Sequence, residues 1–549
     1  MAVLIFALLQ ALLANGTPIG HCRSGSQSQD LFAVNTTSGV YAPCIADSFP
    51  SVAAFPDIPY AQNPTGPLRF APPVPVRPHD NDGVVYATEL PLGCFQYTPP
   101  LLEGTVALEA ETSFLLQGGD YANTTEDCLR LSVFAPRDAV SRSTAETASR
   151  PEASEEGLPV VVWIHGGGFS IGGTNLPYQL SPDWVERSQE HIVVQVQYRL
   201  GLLGQPNAAG LAAFSSNSTD NHNLNLGFLD QRLAVEWVRD NIANFGGDPN
   251  RITLWGQSAG GYATDGYLFA WADDPIVNGV ISNSGNAVAI PVFLADATNH
   301  SVFSTAADRL GCGGLSPAEE LACMRAVPAS QIKAYIQAPP GAGGAADDSL
   351  VFNPVIDNVT WFPDYPGRIA SKDPSLFASH VPLLISTLTN EGGAVVPYDF
   401  NGSATATELP PDLAVIAEGF AGNLRCTTLR EVQLRAGIGA TTYRHLYAGN
   451  FSDISPRPWL GAYHTADLPM VFGTFGTEGP VTGFEKSVSE RMQDRYLEFI
   501  KDPVSGLKNA GWPEATGALD DLDIMTFAAD DKLEQLVTGA QFNLGEGCT

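Results

Sequence analysis

Short, nearly continuous apolar runs recur along this chain, separated by stretches with helical spacing. Leu129–Ala135 alternates and stops at Pro136; Pro159–Ile164, Ile192–Tyr198, Ile252–Trp255, Val280–Ile281 and Val381–Ser386 follow. A strand apolar on both faces must be covered on both faces, which points to a parallel sheet between layers of helix. Asp230–Ile242 supplies one such helix, with Leu233, Trp237 and Val238 at helical spacing. The expected fold class is therefore α/β, with one large, mostly parallel sheet. Phe55–Pro73 reads as a Pro-rich surface crossing, and the polar stretch Arg137–Gly157 as a solvated loop insert. The 54 Gly and 41 Pro follow no fixed period, so a repeat architecture is excluded.

The run Ile252–Trp255 leads straight into Gly256-Gln257-Ser258-Ala259-Gly260, and a helical run begins at Ala259. A serine on a tight strand-to-helix turn projects its Oγ beyond the sheet edge, as a nucleophile must, and flanking glycines relieve the crowding of that turn. A second glycine cluster, His165-Gly166-Gly167-Gly168-Phe169, ends the run Pro159–Ile164. Backbone N–H groups freed there can converge on one oxygen, as an oxyanion hole requires. The phosphate-cradling alternative would need GxxxxGK[ST] or GxGxxG before a helix, and neither is present.

Serine needs a base oriented by an acid. In α/β hydrolases these follow the serine in the order acid, then histidine. His300, His380, His445 and His464 come after Ser258. His300 follows a sequon asparagine, His380 begins a strand and His445 sits within one. His464 stands in a loop, Gly461-Ala-Tyr-His464, just before Asp467–Phe472. Glu391 follows the run Val381–Ser386, at the strand end where sites of open α/β sheets collect. Asp357 and Asp399 are alternative acids.

The chain has 549 residues and a net charge of −31, from 28 Lys+Arg against 59 Asp+Glu. That field repels phosphate backbones and anionic lipid surfaces, which excludes nucleic acid as a partner. Val3–Ala14 has the length of a signal-peptide core and Ala14-Asn15-Gly16 offers small residues for cleavage. Residues 1–16 are read as a leader, and 17–549 as a single domain. After residue 16 seven Asn-x-Ser/Thr sequons, at Asn35, Asn123, Asn217, Asn299, Asn358, Asn401 and Asn450, agree with secretion and glycosylation. No other apolar run reaches transmembrane length, so no membrane anchor is expected. The eight cysteines suit an oxidising compartment, and without CxxC or CxxH spacing no metal site is expected.

With these pieces in place the sequence resembles the type-B carboxylesterase/lipase family, which includes cholinesterases and fungal secreted lipases. Phe245–Gly260 (FGGDPNRITLWGQSAG) matches the family's serine signature at each defining position. Glu126–Pro136 (EDCLRLSVFAP) resembles its second signature, with Arg130 where an aromatic residue or Thr is usual. Tyr198–Gly201, Gly227–Gln231, Asn241–Pro249, Phe55–Phe70 and Gly461–Phe472 are also similar, with Asp57 in place of the usual Gly. The resemblance runs from about Phe55 to Phe499 and implies the α/β-hydrolase fold and serine ester hydrolysis without a cofactor. It places the nucleophile at Ser258, the acid at Glu391, the base at His464, and the oxyanion hole at Gly167, Gly168 and Ala259. It also implies disulfides Cys94–Cys128, Cys312–Cys323 and Cys426–Cys548, which leaves Cys22 with Cys44.

Two departures argue against choline esters. The residue before the serine is the neutral Gln257 where cholinesterases have Glu, and the stretch from Cys94 to Cys128 contains no Trp to stack on a cation. The expected substrate is a small-molecule or lipid ester, with a general carboxylesterase favoured over a lipase whose lid is the 94–128 loop. A non-catalytic binding protein on the same fold is the reading from another class. An ordinary histidine base would lose activity below roughly pH 6.

Overall fold

The apolar runs assemble as their two-sided burial requires. The computed structural model describes residues 32–76, 83–96, 124–146, 157–211, 224–338, 341–348, 350–396, 408–455, 459–476 and 480–548. Eleven strands form its main sheet: β1 (Cys44–Ala46), β2 (Phe49–Pro59), β3 (Arg130–Pro136), β4 (Leu158–Ile164), β5 (Ile192–Val196), β6 (Gly247–Gln257), β7 (Gly279–Asn283), β8 (Leu383–Leu388), β9 (Thr442–Tyr447), β10 (Leu522–Phe527) and β11 (Glu534–Thr538). Across the sheet the order is β1-β2-β3-β5-β4-β6-β7-β8-β9-β10-β11. From β5 to β10 neighbours pair parallel, whereas β1 to β3 and the last strand pair antiparallel. This is the α/β-hydrolase arrangement.

Alternate residues of each central strand enter opposite layers. Val160, Val162 and Ile164 of β4 join one core with Ile192, Val194, Ile252 and Leu254, while Val161 and Trp163 join the other with Val193, Trp255 and Leu384. Helices cover both faces, among them α1 (Arg137–Glu146), α2 (Leu226–Asn241), α3 (Ala259–Ala270), α4 (Pro411–Ile438), α5 (Leu468–Phe472) and α6 (Gly483–Lys501). The chain leaves β4 toward β5 on one side and leaves β6 toward β7 on the other. A crevice therefore opens outside the carboxyl ends of β4 and β6, the usual place for a ligand in such sheets.

Two local expectations are corrected. Arg137–Glu146 is helix rather than solvated loop: Ala139 and Val140 are buried and Ser143 Oγ donates to Asn244 O at 2.7 Å. Packing against the turn after α2 supplies what its own periodicity lacks. Phe55–Pro59, read as surface crossing, is the end of the mostly buried strand β2. Pro56 is tolerated because the register with β3 shifts between Phe55 and Ile58, and Pro59 is the strand's last residue. At that bulge the two residues that depart from the family signatures meet, Arg130 Nη1 donating to Asp57 Oδ1 at 3.2 Å and Nη2 to Asp127 Oδ2 at 2.9 Å.

Disulfides join Cys94–Cys128, Cys312–Cys323 and Cys426–Cys548. Cys44 is also disulfide-bonded; Cys22, its expected partner, lies outside the described residues, as do residues 1–16. Asn35, Asn299, Asn358 and Asn450 are exposed, and Asn123, Asn217 and Asn401 lie outside the described residues. No described helix is long and apolar enough to cross a membrane.

Candidate active site

Ser258 sits between β6 and α3 with φ 55° and ψ −121°, a conformation that a non-glycine residue holds only when its surroundings force it. The force is steric. A Cβ at Gly256 would lie 2.3 Å from Gly260 O, and one at Gly260 would lie 2.1 Å from Ile164 O. Strand, turn and helix therefore interlock at van der Waals distance, and β4 is locked against them. Ser258 N donates to Asn283 O at 2.9 Å, which fixes the turn to the end of β7.

The glycine cluster after β4 faces this turn. A Cβ on Gly166 would approach Ser258 Cβ to 3.1 Å, and Gly167 and Gly168 hold φ of 108° and 61°. Side chains are disfavoured there, most severely at Gly167, whose Cβ would fall 2.2 Å from Ile171 O. The N–H groups of Gly167, Gly168 and Ala259 donate to no acceptor among the described residues.

Two further loops meet opposite. Asn390 N donates to Ala462 O at 3.0 Å, and Asn390 Nδ2 donates to Trp459 O and Leu460 O at 3.1 and 2.7 Å. This joins the loop after β8 to the loop that carries His464. Glu391 Oε2 and His464 Nδ1 then lie 2.6 Å apart, both residues buried. The other carboxylate oxygen accepts from Ser284 Oγ at 2.7 Å and from Leu388 N at 2.8 Å. A carboxylate facing Nδ1 keeps the proton there and leaves Nε2 as the acceptor. The Gln257 amide nitrogen is 3.2 Å from that Nε2. No hydrogen bond joins Ser258 Oγ to His464 in this structure; such contacts often tighten only when substrate binds.

Behind His464, α5 docks Phe472 against Trp163 and Trp255, with ring centroids 5.1 and 4.8 Å apart. Buried Asp467 accepts from Asn283 Nδ2 at 2.6 Å, and burial pushes its carboxyl up to about 6. The remaining candidates have other neighbours. His445, buried in β9, packs on Tyr496, Trp512 and Phe527, and burial pushes it down to about 3. His300 Nδ1 lies 2.8 Å from Asn207 O, and His380 is exposed before β8. Asp357 closes its own turn by accepting from the N–H groups of Val359, Thr360 and Trp361. Asp399 lies outside the described residues, as do residues 97–123 of the Cys94–Cys128 loop. Among the described residues no group of three or more His, Cys, Asp or Glu is placed to hold a metal.

Sequence reasoning missed Ser284 and Phe420 of α4, whose ring centroid lies 5.5 Å from that of His464. Ser284 follows the carboxyl end of a central strand, β7, as Glu391 follows β8, and that position was its only signal.

The sequence profile of the carboxylesterase family matches residues 37–416. The chain belongs to the carboxylesterase family. It is 57% identical over 504 residues to "Secreted lipase 5" of Gibberella zeae, covering 92% of this chain and 91% of the relative. It is 38% identical over 520 residues to "Chlorogenic acid esterase" of Aspergillus niger, covering 92% of each. It is 28% identical over 501 residues to "Acylcarnitine hydrolase" of Mus musculus, covering 83% and 80%. This carboxylesterase is thus a carboxylic-ester hydrolase, and the reading as a non-catalytic binding protein is set aside.

Proposed function

We propose that this carboxylesterase is a secreted serine hydrolase that works through an acyl-enzyme. Ser258 is the nucleophile, His464 the general base and acid, and Glu391 the residue that holds the imidazole. His464 Nε2 takes the Ser258 proton as the hydroxyl attacks the ester carbonyl; the N–H groups of Gly167, Gly168 and Ala259 receive the oxyanion. The proton then passes to the leaving alkoxide, and water repeats the cycle on the acyl-enzyme. The observation that carries this reading is the 2.6 Å contact of Glu391 with His464 Nδ1 beside a serine held at φ 55°. Residues 1–16 act as the leader and 17–549 form one glycosylated domain, the seven sequons being its candidate acceptors.

Small-molecule esters are the favoured substrates. A relative named a secreted lipase, at 57% identity, supports lipid esters as the second reading, with the 94–128 loop as lid. The test is hydrolysis of p-nitrophenyl esters from acetyl to palmitoyl by the wild type and by Ser258→Ala. The variant should lose about 10⁴-fold or more in kcat/KM for every ester. Activity that survives in a folded Ser258→Ala protein rules the nucleophile out, and the acyl-length profile separates the two substrate classes.

A further inference from the structure

Among the described residues, the surface that α4 presents beside His464 is apolar, and its first cation, Arg425, is already paired. Phe420 of α4 meets the His464 ring edge-on, with centroids 5.5 Å apart and planes at 86°. One helical turn earlier on the same face stands Ile416, 58% exposed, with Val415 next to it at 74%. α4 is fixed in this place: a Cβ on Gly392, next to Glu391, would lie 1.8 Å from Ala417 O, so helix and acid loop touch backbone to backbone. Farther along, the Cys426–Cys548 disulfide ties the helix to the C-terminal tail.

The described parts of the segments that build the site, residues 157–186, 252–308, 373–396, 408–424, 459–476 and 480–485, contain no Lys or Arg. In α4 before Leu424 the charged residues are Asp412 and Glu418. The first cation of that helix, Arg425, donates to Glu418 Oε1 at 2.7 Å and to Glu546 O at 3.1 Å. Arg457 lies outside the described residues.

We infer that Phe420 and Ile416 bind the alcohol portion of the ester and confine it to uncharged, apolar groups. The inference rests on the role proposed above for His464. That imidazole hands its proton to the departing alkoxide, so residues that border it border the alcohol. An alcohol bearing a carboxylate would bring a negative charge to a surface whose described residues offer no cation beyond Arg425, already paired with Glu418, and which also carries Asp412. The anion loses solvent there and gains repulsion. A neutral aromatic or alkyl alcohol instead gains contact with Phe420 and Ile416.

The experiment compares 4-(butyryloxymethyl)benzoate with its methyl ester near pH 7.5. Both release a benzyl-type alcohol from the same butyryl-enzyme, so the pair differs chiefly in charge. The wild type should favour the methyl ester by about tenfold in kcat/KM at low ionic strength, and added salt should narrow the ratio. Ile416→Arg should narrow it about threefold or more by improving turnover of the carboxylate. Phe420→Ala should lower kcat/KM for the neutral benzyl-type ester more than for ethyl butyrate, a difference that general damage to His464 would not produce. A carboxylate cleaved as fast as its methyl ester, or a ratio unmoved by Ile416→Arg, overturns the inference and leaves ester hydrolysis standing. If folded protein cleaves neither ester nor ethyl butyrate, the proposed function itself fails.

Discussion

The two sides of the candidate site are held by different physics. The Ser258 side is one continuous segment in which a Cβ on Gly256 of β6 would lie 2.3 Å from Gly260 O of α3, and one on Gly260 would lie 2.1 Å from Ile164 O of β4, approaches that only glycine permits. The facing side brings together Glu391 and His464, 73 positions apart, through a bond of 2.6 Å and the ties of Asn390. Steric exclusion is unforgiving and local, whereas a hydrogen-bonded assembly is built from replaceable pieces. A substitution on the first side should therefore damage the fold, and one among the hydrogen-bonding side chains of the second should damage function before stability; Gly392, whose Cβ would lie 1.8 Å from Ala417 O, is the steric exception on that side.

The sharpest break in that contrast is Glu391→Gln. The shape survives and both partners of Oε1 remain in reach, but a neutral amide no longer holds the imidazole in the required tautomer or stabilises its charged form. The expected loss is about 10³–10⁴-fold in kcat, with the thermal midpoint nearly unchanged. Steady-state kinetics beside a melting curve decides it; a loss below tenfold would remove Glu391 from the proposed triad. Gly260→Ala probes the other side. Its Cβ meets Ile164 O at 2.1 Å, so β4 or α3 must shift, at a cost of about 3 kcal/mol. Denaturant titration measures that loss, and a variant as stable as wild type would show that the interlock is slack.

The same division explains what could be read from the sequence. Ser258, Gly167 and Gly168 announce themselves because strand, glycines and helix follow one another in the chain. Glu391 was reachable because it follows a run at the carboxyl end of the parallel sheet, and His464 because it alone of the later histidines stands in a loop, just before Asp467–Phe472. Phe420 gave no such sign: the apolar residues of α4 point several ways, with Ala417 and Leu424 buried and Val415 and Ile416 exposed. Its role depends on where a 28-residue helix docks, which no local pattern encodes. Arg137–Glu146 failed for a related reason, since its stability comes from the turn that it covers. Asp57 and Arg130 looked like two unrelated departures until the pairing of β2 with β3 brought them together.

The loops that lead to and from His464 carry a pH-sensitive contact with no counterpart in the glycine interlock. Asp453, ten residues before Tyr463, holds Gly476 N at 2.7 Å and faces Glu485 of α6. Burial, then the hydrogen bond with Asp453, pushes the Glu485 carboxyl from 4.5 up to about 8. Between those values the folded protein keeps a proton that the unfolded chain has released. Stability should fall as pH rises through that window and level off above it. Glu485→Gln mimics the protonated form, so its thermal midpoint should exceed that of wild type by a few degrees at about pH 8, with the gap closing near pH 4.5. Parallel melting curves that run at a constant offset across this range would show that Glu485 is not the titrating group.

Ser284→Ala should give the smallest effect. Its hydroxyl donates to Glu391 Oε1 at 2.7 Å, but Leu388 N donates to the same oxygen at 2.8 Å, so the carboxylate keeps one partner. The removed group leaves no orphaned donor behind. About 1 kcal/mol of stability is the expected cost. Because Glu391 still faces His464 Nδ1, kcat should fall only a few-fold and KM should stay as it is. A loss as large as that of Glu391→Gln would mean that the serine, rather than the ties of Asn390, fixes the acid. The hydrogen-bonded side would then be as intolerant as the glycine interlock, and the contrast between the two halves of the site would disappear.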